Sequence, residues 1–278
     1  MVRHCLLVVG IAASMLSASR GDAQRPAPPA LPPGLTMPWV VRQPHEIVGY
    51  LLFDPVTVAS QLPPTLRFIT VGELATDGVP WAKRYLADAP SRQRWGISFL
   101  EIVRMDTFAI DGRSPHWPDH GAVALWFARV APADSTVNLG SGVPLLVLDF
   151  WLPDSAYVRE MRRNGYYARY GDARLTREAN GTWRGSIRAD GLRATAACTP
   201  TGPISGGPAS RGSQALFPPA SSGLTGVVRI AFAGHRVQPC AEVATWTIRG
   251  AHPIARGVVL GASDFQFGYD LVGGVEKP

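Results

Sequence analysis

Residues 145–175 read LLVLDFWLPDSAYVREMRRNGYYARYGDARL. The apolar run Leu145–Trp151 has the length of a buried strand. Pro153–Arg163 reads as a short helix, with Asp154 as its N-cap and Gly165 just past its end. Tyr166–Leu175 returns to strand. Working outward, Glu46–Phe53, Gly121–Val130, Thr182–Ala189, Leu192–Ala197, Val227–Ala233, Glu242–Arg249 and Asp264–Leu271 also read as strands. Trp95–Ile110 is a longer strand-rich stretch, broken near Met105 and Asp106. Asn180-Gly181 and Asp190-Gly191 are hairpin turns. A short helix fits Asp54–Leu62, capped by Asp54, opened by Pro55 and ended by Pro63-Pro64. Many short strands and few short helices predict an α+β chain, mainly antiparallel β, built as a barrel or sandwich with small helical decorations.

The central segment resembles the acetoacetate decarboxylase superfamily. There a strand of the type "mylDn" leads to a G-[FY]-P-K-K element that carries a Schiff-base lysine. The matching residues here are Gly165-Tyr166-Tyr167-Ala168-Arg169. The D-P…L-P element at Asp54–Pro63 and the tail HPIARGVVLGASDFQFGYDLVGG, residues 252–274, add to the resemblance, which spans roughly Val41 to Gly274. It implies an acetoacetate decarboxylase-like β-barrel or cone with a few short helices, and a pocket for small oxo or unsaturated compounds. The lysine position falls on Ala168 and its charged neighbour on Arg169. Alanine cannot form an imine, and an always-protonated guanidinium is a poor nucleophile. The resemblance is therefore to the family without its nucleophile.

At 278 residues with 46% hydrophobic and 17% charged residues, a sizeable core is expected. The formal charge of +6 is spread along the chain, with no arginine run to track a phosphate backbone, so nucleic acid is not expected as a partner. Residues 1–23, MVRHCLLVVGIAASMLSASRGDA, have the basic start, apolar run and small residues of a secretory signal peptide. The apolar run is too short for a membrane span. Residues 24–39 form a proline-rich arm. A single domain is expected over residues 40–278, with residues 199–225, rich in Gly, Pro and Ser, as a flexible loop or lid. Once the signal peptide is removed, Cys198 and Cys240 are the remaining cysteines. In a periplasmic or secreted protein they are expected to form a disulfide.

Glu101, in SFLE, falls where the family carries a carboxylate, and strand alternation puts it on one face with Phe99. Desolvation beside an aromatic would make it a general acid or base; a salt bridge to Arg104 is the competing account. Tyr166 and Tyr167 are candidate proton donors and Arg169 a candidate anion clamp. Phe99, Trp151, Arg162 and His235 are candidate substrate contacts. His116, Asp119 and His120 lack a further ligand at motif spacing, so no metal is expected, and no cofactor signature is present. His252 is a further histidine that could turn into a pocket. The reading is an exported lyase, hydratase or isomerase that uses acid–base chemistry on a small, largely apolar oxo or unsaturated ligand. The alternative is a non-catalytic binding protein for a hydrophobic metabolite. Exposed strand edges would permit a homo-oligomer. The signal-peptide reading predicts a mature chain beginning near Gln24, and intact-mass analysis of exported protein checks this; Met1 retained in a periplasmic fraction would reject it.

Overall fold

A computed structural model describes residues 34–276, apart from residues 43, 106, 111–120, 208 and 242–245. The signal peptide, most of the proline-rich arm and the His116–His120 cluster lie outside the described residues. The strands are β1 (Thr36–Arg42), β2 (His45–Phe53), β3 (Leu66–Phe68), β4 (Gly96–Arg104), β5 (Thr107–Ile110), β6 (Gly121–Pro132), β7 (Val143–Leu152), β8 (Arg169–Tyr170) and β9 (Asp172–Arg177). They continue as β10 (Trp183–Ala189), β11 (Leu192–Cys198), β12 (Ser205–Gly206), β13 (Arg211–Phe217), β14 (Val227–Ala233), β15 (Arg236–Pro239), β16 (Thr247–Arg249), β17 (Val258–Phe267) and β18 (Asp270–Glu276). The α-helices are α1 (Val71–Thr76), α2 (Pro80–Asp88) and α3 (Ser155–Arg163).

The expected α+β, mainly antiparallel architecture is present. One ladder runs β5–β1–β18–β14–β13–β7–β6–β4–β2–β17–β15–β12, antiparallel except where β13 lies parallel to β7. A second ladder, β9–β10–β11–β16, joins the start of β6. Among the described residues the pairings form a coiled, open sheet; the last strand never pairs back to close a barrel.

The central strands are covered on both faces. One face packs Ile47, Leu51, Leu100, Ile102, Trp126 and Trp151 against Leu175, Trp183 and Ile187 of the second ladder, forming a two-sheet core. The other face packs Val103, Phe127 and Leu145 against Tyr157, Val158 and Met161 of α3, forming an α3 core. Fully burying a Leu or Ile side chain of this kind is worth about 1.5–3 kcal/mol. Helix α3 forms as its sequence directs. Asp154 accepts from the N–H groups of Ala156 and Tyr157 (2.7 and 2.9 Å), Tyr157, Val158 and Met161 face the core, and Arg162 and Arg163 complement the C-terminal dipole. Gly165, at φ +89°, supplies the left-handed residue that lets the chain turn back toward β8.

Three expectations need correction. The 199–225 segment is not a structureless loop: it contains β13, which is paired on both sides, to β14 and β7. Its Gly and Ser content masks a strand whose sheet partners are remote in sequence. The strand read at Asp264–Leu271 is instead the end of β17 and the start of β18, separated by a turn at Gly268 (φ +71°); β17 pairs with β15 and β2, and β18 with β1 and β14. The first strand begins at Thr36, within the proline-rich arm, because it is held by β18 and β5.

Cys198 and Cys240 are disulfide-bonded, with their Cα atoms 5.1 Å apart and a separation of 42 positions in sequence. Closing a loop of this length constrains the denatured chain by about 4 kcal/mol. Cys198→Ser/Cys240→Ser is therefore expected to lower unfolding stability by up to that amount in denaturant titrations; stability unchanged by the double substitution would contradict a structural role.

Candidate functional site

Register and pleat assemble the site. Residues directly opposite on antiparallel strands share a face. Asp264, Val48, Glu101, Leu125 and Phe150 form one row across β17, β2, β4, β6 and β7. Gln266, Glu46, Val103 and Val123 form the next row, and Tyr50, Phe99 and Phe127 the row on the other side. These rows face the α3 core. They bring three carboxyl groups, Glu46, Glu101 and Asp264, onto three neighbouring strands.

Two phenols serve these carboxyls. Tyr50 donates to Asp264 at 2.6 Å. Tyr269, in the β17–β18 turn, hydrogen-bonds Glu46. The His235 ring packs edge-on against Tyr269 with centroids 5.0 Å apart, and its Nε2 donates to the Gln266 side chain. The expected candidates Glu101 and His235 thus fall in one neighbourhood, linked through Glu46 and Tyr269.

Burial sets the electrostatics. Desolvation raises the Glu46 carboxyl from its ordinary 4.5 to about 7, against the hydrogen bond from Tyr269. Desolvation, with the charge of Glu46 added, pushes Glu101 well above the usual carboxylate range. Desolvation also raises Asp264, with Tyr50 opposing, and lowers His235, with Gln266 opposing. Burial thus favours the protonated form of both carboxyls, and the charge of Glu46 on the neighbouring strand adds to the cost of ionising Glu101. Arg104, the competing partner for Glu101, lies on the opposite face of β4 by strand alternation.

The face around Glu101 is not fully packed. Tyr50, Phe99, Glu101, Leu125 and Phe150 all retain accessible surface at mid-strand positions, while their neighbours Leu100, Ile102, Ala124 and Trp126 retain none. Space therefore adjoins the carboxyl pair.

The other candidates separate by face. Ala168 and Tyr166 are buried in the α3 core, on the side of Glu101. Arg169, expected beside Glu101 as an anion clamp, instead pairs with Asp149 at 2.9 Å. The Tyr167 hydroxyl also reaches Asp149, at 3.3 Å. A register shift in the β6–β7 pairing, opposite Trp126 and Phe127, turns Asp149 into the two-sheet core. There His252 donates to it through Nε2 at 2.9 Å, between the rings of Trp126 and Trp151. The N–H of Ile254 approaches His252 Nδ1, so both ring nitrogens are engaged. Trp151 belongs to this buried network and not to the Glu101 face. Arg162 is exposed on α3 and donates from Nε to the carbonyl of Ala168 at 2.6 Å, fixing the segment that follows the helix. Among the described residues no set of three His, Cys, Asp or Glu side chains converges on a metal position, and no helix is long and apolar enough to cross a membrane.

No family model matches the sequence, and no curated protein matches it. Solved structures do match. The acetoacetate decarboxylase of Legionella pneumophila aligns over 93% of this chain and 98% of its own, at 13% identity and a TM-score of 0.50. The fold is acetoacetate decarboxylase-like. The enduracididine biosynthesis enzyme MppR, solved with pyruvate, shares this acetoacetate decarboxylase-like fold over 86% of this chain and 90% of its own, at 12% identity and a TM-score of 0.50.

Glu46, Tyr50, Asp264 and Tyr269 were not singled out from sequence. One signal was present: a carboxylate at the start of EIVGYLLF and another in SDFQF, each in an otherwise apolar strand. Raised carboxyl pKa values make the folded state bind more protons than the unfolded chain. The stability they contribute is full below about pH 4.5 and is lost as pH rises through about 7. Glu46→Gln is expected to flatten that decline by on the order of 3 kcal/mol in denaturant titrations between pH 4.5 and 8; an unchanged slope would show that Glu46 ionises freely.

Proposed function

We propose that this chain is an exported acid–base enzyme of the lyase, hydratase or isomerase type, acting without a Schiff base on a small, largely apolar oxo or unsaturated compound. The observation that carries this reading is the placement of two buried carboxyls, Glu46 and Glu101, on one face of neighbouring strands beside partly accessible apolar side chains. In the half-protonated pair the ionised carboxylate takes a proton from carbon α to a carbonyl. The C–H electron pair moves into the developing enolate, whose oxygen receives a hydrogen bond from the protonated carboxyl or from the Tyr269 hydroxyl. Raised pKa values suit this work, because base and acid are then both present near neutral pH. Tyr269, which hydrogen-bonds Glu46, joins Tyr166, buried on the side of Glu101, as a proton-donor candidate, since the Tyr167 hydroxyl turns to Asp149. The methyl group of Ala168 faces the same core and offers no amine. The disulfide fits an oxidising compartment, which supports export.

A specific observation favours the second reading, a binding protein for a hydrophobic metabolite: the space is lined largely by Phe99, Leu125 and Phe150. One experiment separates the two. A panel of small 2-oxo acids, 3-oxo acids and enones is assayed for turnover and binding with wild type and Glu101→Gln. The enzyme reading expects wild-type turnover to fall about 10²–10⁴-fold in the variant, with binding and fold retained and no borohydride-trapped adduct. Ligand binding without turnover in the wild type would establish the binding protein instead.

A further inference from the structure

The second site lies on the opposite side of β2. His45 and Glu46 are consecutive, so they point to opposite faces; Glu46 faces the α3 core and His45 faces outward, toward the second ladder. There a cleft of about 380 Å³ opens at the edge between the two ladders. Its floor is a series of near-parallel rings. His45 stacks on Trp183 at 4.9 Å and 22°, Trp183 on Phe265 at 5.0 Å and 28°, and Phe265 on Phe267 at 5.5 Å and 26°. The far wall is covalently braced. Pro200 bridges to Cys240, Ala241 N–H donates to the carbonyl of Thr199 and Thr201 N–H to that of Pro239, all beside the Cys198–Cys240 disulfide. The Thr182 and Thr199 hydroxyls, 2.8 Å apart, tie this wall to the β9–β10 turn. The cleft is therefore formed in advance of any ligand, with a volume in the range of small-molecule sites.

Its rim is cationic and rich in donors. The Arg177 guanidinium lies 6.0 Å from the centroid of Trp183, and among the described residues no carboxylate pairs with it; the adjacent Glu178 is taken by Arg184. The Asn180 carbonyl oxygen accepts from Thr182 N–H at 3.0 Å, so its amide NH₂ is the part left to donate. Gln238 donates to the carbonyl of Gly202 and keeps its own oxygen as an acceptor. A flat aromatic floor selects a planar ring, which continues the offset stack. A guanidinium and an amide NH₂ at one end select an anion.

We propose that this cleft binds a small planar aromatic carboxylate, its ring continuing the stack at Phe267 and its carboxylate held by Arg177 and Asn180. The site stands apart from the Glu46/Glu101 pair and does not depend on the catalytic reading. Isothermal titration of the whole protein with benzoate, cyclohexanecarboxylate, benzyl alcohol and methyl glucoside tests it. Benzoate is expected to bind saturably and at least about tenfold more tightly than the other three. Arg177→Gln and Phe267→Leu should each weaken benzoate about tenfold or more, with circular dichroism unchanged, and Glu101→Gln should leave it unaltered. The proposal is overturned if benzoate does not saturate the wild type, if both cleft variants bind it as the wild type does, or if Glu101→Gln alone abolishes binding. It is equally overturned if cyclohexanecarboxylate or methyl glucoside matches benzoate.

Discussion

Protein covers both faces of the β2–β4–β6–β7 sheet, and the rest of the molecule follows from that constraint. Most side chains on these strands enter the two-sheet core, the α3 core or a smaller cluster of Leu52 and Ile97 with helices α1 and α2, which leaves little room for solvated polar groups. Carboxyls placed on such strands must be paired, hydrogen-bonded or protonated. Asp149 takes the first course, with Arg169, His252 and Tyr167 around it. Asp264 takes the second, through Tyr50. Glu46 and Glu101 are driven toward the third, chiefly by burial, with the charge of Glu46 adding to the cost of ionising Glu101. A low-dielectric site with a proton to share is thus a consequence of the sheet's two-sided burial.

The Asp149 network shows how the same sheet fixes residues 167–169, in the segment that follows α3. Asp149 gathers donors from Tyr167 and Arg169 around the start of β8 and from His252 near the C-terminus, so two remote pieces of chain meet on one buried carboxylate of β7. Arg162 adds a bond from α3 to the carbonyl of Ala168. Together they orient Ala168 into the α3 core and Arg169 away from it. Arg169 therefore serves the structure on one face of the sheet, while Glu46 and Glu101 lie on the other.

Strand β2 carries both sites because pleating sends its neighbouring side chains in opposite directions. His45 belongs to an aromatic stack braced by a disulfide; Glu46 belongs to the carboxyl pair. Each is positioned by residues on β4, β17 and the second ladder, elements held by many backbone hydrogen bonds, which is what precise placement of chemical groups requires.

The sequence by itself determined the local elements. The Asp154 cap, the apolar face of α3, Gly165 and the hairpin turns act over a few residues, and their signals survive without tertiary context. It also determined that Ala168 offers no amine and that Cys198 and Cys240 were the pair available for a bridge. The placement of Phe99 with Glu101 on one face followed from period-two alternation alone. Tertiary structure decided the rest. Register, set by pairing between strands that are remote in sequence, β2 with β4 and β17 with β2, brought Glu46 and Asp264 to Glu101. A register shift turned Asp149 from one core to the other, and Arg169 and Trp151 came with it. Strand β13 emerged from a Gly- and Ser-rich segment because β7 and β14 supply its hydrogen bonds from both sides. The proton affinity of the carboxyl pair is likewise tertiary. It arises from the removal of water and from a second charge on the next strand, neither of which is written in the local sequence.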